Sequence, residues 1–82
     1  MRRPPQIEDF GKRIRQLRTE RNLSQEQLAE LTGFHRTYIG MVERGERNIS
    51  LSNIGVFAAT FNISVSQLFD FPDHQQGNVG NG

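Results

Sequence analysis

The 82-residue chain is 34% apolar and 23% charged, enough for one small globular domain and too short for a second. It has no cysteine, hence no disulfide framework, thiolate metal site or cysteine nucleophile, and no apolar run approaches the roughly 18 residues of a membrane span. Net charge is only +1, yet all 10 Lys and Arg lie before Asn48, and seven of them against Glu8, Asp9 and Glu20 put +4 on the first 21 residues; such asymmetry marks either an anion-facing side or a solvated helix face laced with charge pairs.

In chain order, Met-Arg-Arg-Pro-Pro has no apolar signal core behind it, so residues 1–5 read as a basic arm on a cytoplasmic protein. From Gln6 to Arg21, Ile7, Phe10, Ile14 and Leu17 recur at steps of three and four, the stripe of an amphipathic helix whose other face is mostly cationic. Ser24 with Gln27 forms a capping-box pattern that starts a second helix, and Thr32-Gly33 stops it. A third helix runs from about Arg36 to Arg44, with His35 an indifferent cap and Gly45 the stop. Two short helices joined by a tight glycine-containing turn make a helix-turn-helix. Ser50 caps a fourth, largely buried helix in which Leu51, Ile54, Phe57, Ala58 and Phe61 share one side and Asn62 ends the run. Ser64 with Gln67 repeats the capping box for a last short helix through Val65, Leu68 and Phe69. Pro72 closes it, and residues 72–82, ending QQGNVGNG, read as a disordered tail whose glycines lack the strand and helix that flank a phosphate loop. The predicted architecture is an all-α, compact five-helix bundle, with the helix-turn-helix domain spanning residues 6–71.

The segment GFHRTYIGMVERGERN, residues 33–48, has helical spacing but little to bury. Successive side chains turn by about 100°, so Ile39 and Val42 share one face while Arg36, Thr37, Gly40, Met41 and Arg44 point the other way. An α-helix fits the major groove of DNA and meets base edges with its first turn. Arg36 is placed to grip guanine O6 and N7, Thr37 offers a hydroxyl or methyl to a base or phosphate, and Gly40 permits close backbone approach. Tyr38, on the flank, either packs on the core, reaches a phosphate or touches a sugar edge. Gln25 opens the second helix, where its amide and the helix N-terminus both suit a phosphate. Arg44 and Arg47 flank the end of the third helix within reach of the DNA backbone. Asn48 is a further backbone candidate, or else ties down its own loop. Glu43, repelled by DNA, is expected to pair with Arg15 or Arg18.

The stretch LSQEQLAELTGFHRTYIGMVERGERN, continuing through SLSNIGVFAATFNISVSQLF, resembles the XRE family of the Cro and phage-repressor superfamily. Ser-Gln opening the second helix, Leu-Ala within it, Gly in the turn and Glu-Arg-Gly ending the third occur together and in order. The resemblance implies a lambda-repressor-like DNA-binding domain, a phosphate role for Gln25, and double-stranded operator DNA as the partner. Within the family, HRTYIGMVERGERN looks most like restriction-modification controller proteins, small dimeric regulators that activate at low occupancy and repress at high. That likeness implies a base or groove-edge contact for Arg47 and RNA polymerase as a further partner. Gly40, where relatives often carry serine, and His35, where Ser or Asp is usual, are this chain's departures from the family pattern.

Val65, Leu68, Phe69 and Phe71 are too many large residues for so small a bundle to bury, so part of this set is expected to form a two-fold dimer interface; core packing is the alternative. A homodimer predicts a roughly palindromic operator. Catalysis is not expected, because a nucleophile-base pair or metal cluster would have to be built on His35 or His74 alone. No cofactor, membrane partner or small-molecule ligand is expected. The alternative functions are a phage-type repressor, or an antitoxin or anti-regulator that uses the same bundle to bind protein.

Overall fold

Residues 7–71 are described by a computed structural model; the basic arm and the disordered tail expected from the sequence lie outside the described residues. Within them five α-helices follow in the order α1 (Ile7–Glu20), α2 (Gln25–Thr32), α3 (Arg36–Glu43), α4 (Leu51–Phe61) and α5 (Val65–Leu68), with no strand among the described residues.

The boundaries are set by local chemistry. Ser24 and Ser64 each accept the backbone N–H three residues on, and Gln27 and Gln67 each return a side-chain acceptor to the serine N–H, completing two capping boxes. Ser50 caps α4 through the Asn53 N–H. His35 is a working cap: its Nδ1 accepts the Thr37 N–H at 3.3 Å. Gly33 at φ 82° and Asn62 at φ 59° end α2 and α4 in the left-handed region.

Phe57 of α4 is the centre of the core. It meets Phe10 of α1 edge-on at 5.9 Å and Phe34 of the α2–α3 turn at 5.3 Å, and Ile14, Leu28, Ile39, Val42 and Leu68 are fully buried around it. Each of these side chains contributes about 1.5–3 kcal/mol by leaving water. They come from all five helices, so the bundle closes only when α3 is seated.

The seat of α3 is α1, and glycine permits it. A Cβ on Gly11 would lie 2.4 Å from the Val42 carbonyl oxygen, so α1 and the end of α3 touch backbone to backbone. Two arginines, Arg13 within α1 and Arg21 just past its end, are clamps. Arg13 donates to the Leu68 and Gln67 carbonyls at 3.2 and 2.7 Å, satisfying the open end of α5. Arg21 donates to the Phe61 carbonyl at 3.1 Å and lies over the Phe61 ring.

Two expectations are corrected here. Leu51 stands largely exposed although the α4 stripe includes it; helical side chains lean toward the N-terminus, so the first residue of α4 leans off its end rather than into the core. Leu68 and Phe71 belong to the protomer core, at 0% and 9% exposure, and so cannot serve as the exposed dimer surface the sequence suggested. The roof over them is closed by Phe69, which packs against Phe10 at 5.5 Å and Phe71 at 5.7 Å.

Candidate nucleic-acid interface

α3 presents its first turn to solvent. Arg36 and Thr37 are exposed, and Arg36 makes no hydrogen bond or ion pair among the described residues. Opposite them Ile39 and Val42 are fully buried, so the helix is anchored on one side and open on the other.

Gly40 does not lie on the open surface expected of it. It is buried because Arg44, four residues on, leans back along the helix: Arg44 Nη1 lies 3.2 Å, and Gln25 Oε1 3.7 Å, from where a Gly40 Cβ would be. Met41 is half-buried rather than outward. What the sequence read as a bare glycine notch is therefore roofed by a guanidinium.

Behind this face, Glu43 joins three helices. Its carboxylate accepts from Arg18 Nε and Nη2 at 2.6 and 3.0 Å and from Gln25 Nε2 at 3.1 Å. Arg18 also donates to the Leu23 carbonyl at 2.8 Å, tying in the loop before α2. Arg18 is the partner of Glu43, of the two the sequence offered. Hydrogen bonding to Glu43 raises the Arg18 guanidinium above its ordinary value, against the opposing effect of burial. The contact of Glu43 with Gln25 has no sequence signal, since the residues lie 18 apart and meet only because α2 and α3 pack.

At the far end of α3, Arg44 donates Nε and Nη2 to the two oxygens of Glu46 at 3.0 and 3.1 Å, with both side chains exposed. This hydrogen bonding raises the guanidinium and lowers the carboxyl. Residues two apart do not face each other on a helix; the left-handed Gly45 between them, at φ 73°, folds the chain back. Gly45 was the readable signal for this pair. Its own position is tight, since a Cβ there would meet Glu8 Cγ at 2.9 Å.

The Tyr38 ring packs beside the core while its hydroxyl proton has no protein acceptor among the described residues. The ring meets Phe34 edge-on at 5.1 Å and the oxygen accepts from Asn53 Nδ2 at 3.0 Å. Arg47, exposed, lies over the same ring at 5.6 Å. Asn48 is exposed beside it and makes no side-chain hydrogen bond among the described residues, so it does not tie its loop. Of the dimer candidates, Val65 and Phe69 remain exposed, at 43% and 41%. Among the described residues no three His, Asp or Glu come together to hold a metal, and no helix is long and apolar enough to cross a membrane.

Two short helices joined at a left-handed glycine, the second anchored on one face and polar on the other, define a helix-turn-helix DNA-binding transcription regulator. The helix-turn-helix family HTH_3 matches residues 14–68, and the chain belongs to it. It is 52% identical over 61 residues to the control protein C.SmaI of Serratia marcescens, covering 74% of this chain and 73% of that protein. The crystal structure of the restriction-modification controller protein C.AhdI from Aeromonas hydrophila superposes with a TM-score of 0.74 at 51% identity, over 77% of this chain and 96% of that one. The biofilm master regulator SinR, crystallised in complex with DNA, superposes with a TM-score of 0.69 at 34% identity, over 74% of this chain and 98% of that one.

Proposed function

We propose that this chain is a restriction-modification controller that binds a roughly palindromic operator as a homodimer, with α3 in the major groove. The observation that carries it is the pair of exposed side chains that open α3, Arg36 and Thr37, neither held by a side-chain bond among the described residues, on a helix whose opposite face is locked into the core. Likeness to C.SmaI and C.AhdI supports the controller assignment.

In this reading Arg36 grips guanine and Thr37 reads its neighbour. Arg47, held over Tyr38, reaches a base or groove edge. Gln25 presents the first backbone N–H groups of α2 and its remaining amide hydrogen to a phosphate, its orientation fixed by Glu43. The Tyr38 hydroxyl, Arg44 and Asn48 complete the backbone contacts that set register. Gly40 serves the interface indirectly, by giving Arg44 room to lie along α3. Val65 and Phe69 supply the two-fold contact.

The test is selection of bound sequences from a random duplex library at moderate salt. Enrichment of a paired motif with half-sites about ten base pairs apart supports an operator-binding dimer. A folded protein that enriches nothing refutes it and turns attention to a protein partner.

A further inference from the structure

Arg44 is where the interface departs from a simple cationic surface. One edge of its guanidinium, Nε with Nη2, gives the side-on two-pronged grip on a phosphate. In this structure that edge is spent on Glu46, with both carboxylate oxygens engaged at 3.0 and 3.1 Å. The remaining nitrogen, Nη1, lies over Gly40 in the middle of the outer face of α3. The arginine thus lies flat along the surface expected to meet DNA, neutralised and facing its own loop. Arg36, at the other end of the same face, carries no such partner among the described residues.

We propose that Glu46 is a specificity-determining residue: it competes with DNA phosphate for Arg44, so the arginine is released only where the rest of the interface already fits. The proposal rests on α3 being the DNA-facing helix. An exposed ion pair is weak, so docking at a matched site, where Arg36 and the phosphate contacts hold the strand in register, displaces it readily. On unmatched DNA the strand is not held against Arg44, and the competing carboxylate takes affinity away from the sequence-independent electrostatic binding that dominates there. Glu46 then raises the ratio of specific to non-specific binding by weakening the second more than the first, a repulsive element aimed at the wrong partner.

The experiment is a double-mutant cycle on the full chain, with binding to a duplex of random sequence measured across a salt series. The chains are the wild type, Glu46→Gln, Arg44→Ala and the double variant. Glu46→Gln is expected to tighten non-specific binding by about three- to fivefold, the worth of one exposed ion pair, and to steepen the plot of log affinity against log salt by up to about 0.9. In the Arg44→Ala background the same change is expected to do much less, because the carboxylate has nothing to withhold. Equal effects in both backgrounds would reduce Glu46 to general repulsion and overturn the proposal, as would no effect in either. Failure of the wild type to bind any duplex removes the reading of α3 itself, a result the cycle separates from the other two.

Discussion

Arg36 opens α3 and Arg44 caps its end, eight residues on, and they differ in what surrounds them. Arg36 is open to solvent, while Arg44 is folded back over Gly40 and tied to Glu46. Arg36→Ala is expected to cost about 1–3 kcal/mol at the selected operator and to relax preference at one base pair, read by titrating the variant against operators altered at each position. A uniform loss across all positions would make Arg36 an anchor and not a reader. Glu43 is different in kind because it is almost fully buried, and its charge is matched by Arg18. Glu43→Gln keeps the shape but leaves the guanidinium without a countercharge. The expected loss is about 2–3 kcal/mol, below the roughly 3–5 of a fully buried pair because Arg18 keeps some water, and it is measured by the shift of the urea midpoint. Little of this was legible beforehand. Residue type put arginines and a glutamate near one another, but whether a carboxylate takes Arg15 or Arg18, and whether it also takes Gln25, depends on which helices touch.

At the scale of the element, two glycines of opposite consequence decide how α3 is held. Gly11 is closed in by the Val42 and Glu43 backbones, neither of which can move aside. Gly40 meets only the far ends of flexible side chains at 3.2 Å and beyond. Both sit in helices, where Ala is favoured over Gly by about 1 kcal/mol, so propensity alone predicts the same gain for each. The prediction is that they split. Gly11→Ala should destabilise by about 2 kcal/mol, since overpacking of about 1–3 kcal/mol outweighs the propensity gain. Gly40→Ala should stabilise by roughly 0.5–1 kcal/mol while pushing Arg44 off its place and altering DNA binding. Thermal unfolding of the two variants side by side checks it, and a common sign would mean that α1 and α3 separate more easily than their backbone contact implies. Helix existence and ends were the most legible part of the molecule, because Ser24, Ser50, Ser64, Gly33 and Asn62 each act on backbone groups within a few residues of themselves. The packing of Gly11 was not, because its partner lies 31 or more residues away along the sequence.

At the scale of the whole molecule, the proposed homodimer has to set two reading helices one turn of DNA apart, about 34 Å. Spacing along the chain grouped Val65, Leu68, Phe69 and Phe71 together, because sequence says that a residue is apolar and not which neighbour covers it. The structure divides them: Leu68 and Phe71 hold the protomer together, and Val65 and Phe69 face outward beside the α5 end that Arg13 pins. Val65 is the cleaner probe of association, since Phe69 also packs on Phe10. Val65 is the first residue of α5, where a carboxylate suits the helix terminus, so Val65→Asp should leave the protomer folded while placing like charges against each other across a two-fold contact. The variant is expected to sediment as a monomer where the wild type sediments as a dimer, with unchanged helical circular dichroism. Its operator affinity should fall steeply while its binding to a single half-site stays within about threefold, since no reading residue has changed and linkage alone raises avidity by about 10²–10⁴. If Val65→Asp remains a dimer, the two-fold contact lies elsewhere, and the exposed Leu31 and Leu51 are the next residues to change.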